Sequence, residues 1–279
     1  MHKIIVVLYG GKLPKGQSVH LLDKVASLER LVSKDAACKA NSAVALTTDK
    51  VEGFVSGKLY KWPGATEKIE KLSEAGLLKR ISLQYIPEEA KAVAFDWGTT
   101  AECGSYGKGN VNYCQVGIDS NALSSAGPNQ LLKMAQSIVE SGSYQYGFIV
   151  SMERAMLPSG YAIGLPGKGE DYFLRESNRW SAGRDKFYNR KLRGVCPVNF
   201  LTSAHLNEAL SSGQSLKQWI EKASHGTLSP WAVRSSEEMY LWRPLGDKWS
   251  ICMDYGLKEL AAMRSELMSL GGLCYTQGL

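Results

Sequence analysis

Four histidines, six cysteines and three pairs of adjacent carboxylates are the residues of this 279-residue chain whose types could do chemistry. His2, His20, His205 and His225 stand far apart, and none falls at metal-ligand spacing from another histidine or a cysteine. No serine sits in a G-x-S-x-G elbow. A cysteine nucleophile needs a base and electropositive surroundings; Cys196 lies nearest the basic residues, yet Val195, Val198 and Phe200 around it favour a thiol packed in a core. His205 falls just inside a short helix expected after Thr202, which suits a structural or capping role. Glu88-Glu89, Glu170-Asp171 and Glu237-Glu238 all border loops or turns, where such pairs serve as solvated caps more often than as a general acid and base. These residues assemble no catalytic set, and the expectation is a protein that is not an enzyme, with no cofactor and no metal.

A glycine loop tests the same point. Gly11 to Ser18 follows an apolar strand and precedes a helical run, the setting of a phosphate-binding loop. Gln17 stands where a lysine would neutralise phosphate, and Pro14 removes a backbone donor from the cradle, so a plain turn is the better reading.

The strongest charge feature lies between residues 177 and 194. Arg179, Arg184, Lys186, Arg190, Lys191 and Arg193 are opposed there by Asp185 alone, whereas the net charge of the whole chain is +6. Wound as a helix at about 100° per residue, the stretch places Arg179, Lys186, Arg190 and Arg193 in one stripe. Trp180, Phe187, Tyr188 and Leu192 face away from it. Arg184 and Lys191 fall on the aromatic side, where a cation must snorkel to water or find a carboxylate. The plain reading of the stripe is a solvated face. A nucleic-acid surface is disfavoured, since the aromatic residues are not interleaved with the charges and no helix-turn-helix, zinc or RNA-binding signature accompanies them. Glu170, Asp171 and Tyr172, beside a glycine-rich stretch, are second candidates for a partner contact.

The elements that must position these residues follow from periodicity. Hydrophobic residues make up 44% of the chain, enough for a substantial core. Strands are expected at 4–9, 43–46, 53–60, 77–86, 92–97, 111–118 and 146–152, and helices at 19–32, 67–74 and from Asn129 to about Val139. The glycine-rich segment 98–110 reads as a long hairpin connection. Six proline and glycine residues between Pro158 and Gly169 mark a seam. Beyond it, helices are expected over 179–193, after Thr202-Ser203, from Leu216 with a Ser215/Gln218 capping box, and over 257–270. Residues 239–242 and 249–253 suggest a hairpin. The fold class expected is α+β: a mixed, mainly antiparallel sheet flanked by helices, with a more helical C-terminal lobe. The lobes would be 1–157 and 179–279 joined by the seam 158–178, or one continuous domain. The apolar run 4–9 is too short for a membrane span or a signal-peptide core, and the widely spaced cysteines suit reduced thiols, so a cytoplasmic protein is expected.

From Trp180 onward the chain resembles the immunity protein 52 family of bacterial polymorphic-toxin systems. The resemblance is carried by Tyr188 with Lys191-Leu192-Arg193, Pro197-Val198-Asn199-Phe200-Leu201, His205-Leu206, Gly213-Gln214-Ser215-Leu216, Trp219-Ile220, Gly226-Thr227-Leu228 and Leu241-Trp242. Tyr161 to Leu165 has a similar character. The resemblance implies a cytoplasmic antitoxin that binds a cognate toxin, a nuclease of restriction-endonuclease type; the absence of catalytic motifs together with the basic stripe makes steric blocking the expected means. The competing expectations are a nucleic-acid-binding protein that uses 179–193 and an enzyme of unrecognised class.

Overall fold

The run Ile4 to Tyr9 is apolar at every position because β1 (His2–Lys12) lies inside a sheet with both faces covered. The computed structural model describes residues 2–12, 22, 25–30, 39–48, 55–85, 100–106, 111–119, 128–141, 144–153, 161–162, 180, 188–234, 237–251 and 253–273. The remaining strands are β2 (Ser42–Thr48), β3 (Val55–Lys61), β4 (Leu78–Gln84), β5 (Thr100–Tyr106), β6 (Val111–Asp119), β7 (Tyr144–Glu153), β8 (Val198–Thr202), β9 (Thr227–Arg234) and β10 (Glu237–Arg243). Together the ten described strands form one sheet in the order β3-β2-β4-β5-β6-β1-β7-β8-β10-β9, with every neighbouring pair antiparallel. The fold is therefore α+β around an open antiparallel sheet. Strand β7 pairs directly with β8, so strands from either side of residues 158–178 hydrogen-bond to each other.

Two cores lie on the two faces of the sheet. Ile4, Val6 and Leu8 point to one, with Ala43, Ile81, Cys103 and Val116, under α1 (Thr66–Glu74) and α2 (Pro128–Ser141). Ile69 of α1 and Leu131, Ala135, Ile138 and Val139 of α2 enter this core, as do Leu22, Val25 and Leu28. Ile5, Val7 and Tyr9 point to the other face, which is covered by α3 (Ser203–Leu206), α4 (Leu216–Lys222), α5 (Lys258–Ser269) and residues 188–196.

Most expected elements form, and the exceptions have physical causes. Segment 98–110 is not simply a connection: β5 occupies 100–106 between β4 and β6. Gly104 is there because a side chain would collide with the Cα and side chain of Arg80 on β4; the glycine marks close strand approach, not a loop. Residues 239–242 are a strand, but they pair with β8 and β9, while Trp249 sits in a 3-10 helix (Gly246–Ser250). Pro230 hides β9 in the sequence, and it is tolerated because β9 is an edge strand. The helix after Thr202 is only one turn long, and an Ala209–Ser215 bridge follows it. Residues 188–193 form a turn and an isolated bridge to Leu273, not the end of a helix. The expected strand at 92–97 and the glycine loop from Leu13 to Ser18 lie outside the described residues.

Candidate functional site

The expected partner-binding residues do not share one described surface. Arg179, Lys186, Glu170, Asp171 and Tyr172 lie outside the described residues. Arg190 is exposed on the turn after Tyr188. Arg193 corrects the expectation: it is 1% exposed and its guanidinium lies in the core on the Tyr9 face. The helical wheel put Arg190 and Arg193 on one side. Because the chain turns at 188–193 and then runs through the core to Cys196, the two point to opposite environments.

Arg193 fills an aromatic box. Its Nη1 donates to the Tyr9 hydroxyl at 3.1 Å and to the Tyr161 carbonyl at 2.5 Å. The guanidinium carbon stands 3.6 Å from the Tyr161 ring centroid and 5.4 Å from that of Trp180. Tyr9 passes the interaction on by donating to the Ala162 carbonyl at 2.6 Å, and the Tyr146 hydroxyl accepts from the Arg193 backbone N–H at 2.9 Å. Strand register builds the walls: Tyr113, Tyr9 and Tyr146 are directly opposed across β6, β1 and β7 and point to one face. A planar, delocalised, weakly hydrated cation is the one suited to such a cage.

The neighbouring cations are used in the same way. The Lys191 Nζ donates to the Gly271 carbonyl at 3.0 Å, just past the C-terminus of α5, where a positive charge complements the helix dipole. Arg264 of α5 donates to the carbonyls of Val195 and Tyr255 at 3.0 and 2.8 Å and lies 3.9 Å from the Tyr255 ring. Lys191 and Arg264 thus fasten α5 to residues 191–196.

His205 and Cys196 stand where the sequence reading expected them. Cys196 is buried in the Tyr9-face core. The His205 ring is fully buried, with Nε2 3.0 Å from the Tyr188 carbonyl and Nδ1 2.9 Å from the Thr202 hydroxyl. A carbonyl can only accept, so Nε2 carries the proton and Nδ1 accepts from Thr202. Burial pulls the His205 pKa down to about 4, only partly offset by the bond to Tyr188. The neutral ring joins the end of β8 to the turn at Tyr188.

The other half of the same face is polar. One cross-strand row runs Ser82, Glu102, Gln115, Val7, Phe148, Asn199 and Trp242; it is polar as far as β6, and from β1 onward Asn199 is its one polar member. Glu102 is 3% exposed, accepts a short hydrogen bond from the Tyr113 hydroxyl and lies 4.0 Å from Arg80 Nη1. Burial and then the Glu102 charge hold the Tyr113 pKa well above its ordinary value. For Arg80 burial works downward, but Glu102 and Tyr113 raise its pKa overall. Beside this triad, Ser42 Oγ, Gln84 Oε1, Thr100 Oγ1 and Gln115 Oε1 are buried without a hydrogen-bond partner. The sequence reading missed this group. Its only signal is alternation, Arg80/Ser82/Gln84 and Thr100/Glu102, and alternate polar residues on a strand ordinarily indicate a solvated face. Among the described residues no three His, Cys, Asp or Glu side chains gather as a metal site, and no helix is long and apolar enough to cross a membrane.

Fold and site together define an α+β protein built on one open antiparallel sheet, with its described basic residues at 191, 193 and 264 bound into the core. Among solved structures the chain is similar to the Pseudomonas aeruginosa T6SS protein PA0821, at 9% identity and a TM-score of 0.47, over 93% of this chain and 73% of that one. No family model matches the chain and no curated protein matches it, so the resemblance to the immunity protein 52 family stands on its residues alone.

Proposed function

We propose that this protein is an immunity protein that binds a cognate type VI secretion toxin, a DNase of restriction-endonuclease type, and inhibits it sterically. Its particular form would be a protein like TsiT, the antitoxin of the nuclease effector TseT. The sequence resemblance motivates the reading. The observation that carries it is that the described residues best suited to chemistry, Cys196, His205 and Arg193, are all buried and hold the fold together. A rigid scaffold that presents a surface is what an antitoxin needs. A bond tight enough for immunity, nanomolar or better, corresponds to about 12 kcal/mol from an interface of order 1,600 Å².

The chain carries a net charge of +6, which argues against imitation of nucleic acid as the means of inhibition. Contact through local basic residues is the better mechanism: Arg190, with Arg179 and Lys186, would pair with toxin carboxylates that otherwise hold metal. The test is co-expression with the product of the adjacent gene, which this reading expects to be a nuclease toxin. Rescue of growth and co-purification are expected; neither rescue nor complex would sink the antitoxin reading. Reversing the charges of Lys186 and Arg190 together should weaken the complex at least tenfold, and unchanged affinity would move the contact elsewhere.

A further inference from the structure

The sheet ends in two edges of different character. Strand β9 is closed to further pairing: Pro230 lacks an N–H, and a register shift at Met239/Tyr240 bends the ladder beside it. At the other end, among the described residues β3 pairs only with β2, in unbroken register from Ser42 opposite Lys61 to Thr48 opposite Val55. Its sequence, VSGKLYK, has no proline and no acid, and Leu59 is 45% exposed.

The two sides of this edge differ. Leu59 lies opposite Val44, so it shares the Tyr9 face with the half-buried Val44 and Leu46. Lys58 and Tyr60 lie on the Val6 face, where the ammonium groups of Lys58 and of Lys68 on α1 stand 5.7 and 5.9 Å from the Tyr60 ring centroid. Lys71, one turn further along α1, is already matched by Glu67 at 2.9 Å. The edge thus offers an apolar row on one side and two gathered cations on the other.

We infer that β3 is a docking edge for an extended, acidic segment of another protein, which adds a strand beyond β3 with apolar side chains over Leu59 and carboxylates beside Lys58 and Lys68. Backbone hydrogen bonds supply the pairing, and the alternation supplies the selection. Lysines on an edge strand discourage pairing with a second copy, because each strand brings Lys58 and Lys61 with no acid to answer them. An acidic strand relieves that repulsion. The inference stands independently of the antitoxin reading, since it concerns the chemistry of the edge and not the identity of the toxin.

The experiment uses the full chain and a fluorescent seven-residue peptide alternating valine and glutamate, followed by anisotropy at low salt. Binding is expected, with at least a tenfold loss in the Lys58→Glu/Lys68→Glu double variant, whose circular dichroism should match the parent. A peptide with lysine in place of glutamate should not bind. A third peptide, N-methylated at alternate residues, removes the backbone donors and should also fail. Equal binding by the acidic and basic peptides, or full binding by the double variant, would overturn the inference. Retained binding by the N-methylated peptide would reduce the edge to a charge patch and overturn strand addition. Light scattering that shows a dimer dissociated by the double substitution would assign the edge to self-association instead.

Discussion

Lys191 and Arg193 on one hand and Lys58 and Lys61 on the other are pairs of basic residues in opposite roles. The first pair sits in the chain's most basic stretch and is buried, bound to carbonyls and aromatic rings. The second pair sits in an unremarkable strand and is exposed at the end of the sheet. Local density of charge is therefore a poor guide to a surface in this protein. Where the chain can enclose a cation with oriented carbonyls and ring faces, the cation becomes scaffold; where it ends a sheet, the cation stays in water.

The sharpest way to break this comparison is Arg193→Ala. Truncation leaves a cavity among Tyr161, Trp180 and Phe148 and strips partners from the Tyr9 hydroxyl and the Tyr161 carbonyl, at a cost of about 4 kcal/mol. Urea unfolding of the two proteins measures it. A loss below about 1 kcal/mol would mean the guanidinium is not a keystone of the Tyr9-face core.

The second test is pH. His205 has an ordinary pKa of 6.5 in the unfolded chain and about 4 in the folded one. Between those values the unfolded chain binds a proton that the folded chain refuses, so stability is complete above pH 6.5 and falls as pH drops toward 4. The gap corresponds to about 3 kcal/mol. Denaturation midpoints at pH 7 and pH 4.5 should show the loss, and His205→Gln should flatten it. An unchanged slope in that variant would assign acid sensitivity to other groups.

The contrast between regions also explains which parts of the molecule sequence could reveal. The strand at 4–9, the helix at 129–139 and the Ser215 capping box rest on local periodicity and local hydrogen bonds, and each forms. Strand β9 is hidden by Pro230, and β5 by its glycine, because their place depends on neighbours distant in sequence. Arg193 was misplaced because a helical wheel presumes a helix, and the turn at 188–193 breaks the phase. The Arg80–Glu102–Tyr113 triad needs three strands in register before its members meet. Of the apolar members of the basic stretch, Trp180, Tyr188 and Leu192 are buried as expected and Phe187 lies outside the described residues; burial of large apolar groups holds whatever the backbone does.

Between keystone and surface cation lies a contact of intermediate weight. Ser215 accepts from the Gln218 backbone N–H at 3.2 Å while the Gln218 side chain accepts from the Ser215 N–H at 2.8 Å. The box starts α4, which carries Leu216, Trp219 and Ile220 into the core. Ser215→Ala should cost about 1 kcal/mol, visible as a lowered urea midpoint at an unchanged slope. No change would show that burial of Trp219 alone holds the helix.

The smallest expected effect completes the comparison from the surface side. Lys58→Glu replaces an exposed cation on β3 that makes a long approach to the Tyr60 ring at 5.7 Å. Exposed contacts of this kind contribute little, and the change should move folding stability by less than about 0.5 kcal/mol. The same substitution, paired with Lys68→Glu, is expected to abolish most binding of the acidic peptide, so the two measurements separate what a cation does for the fold from what it does for a partner. If Lys58→Glu instead destabilised the protein as much as Arg193→Ala, the edge would be scaffold like the core, and the distinction between the two basic regions would fail.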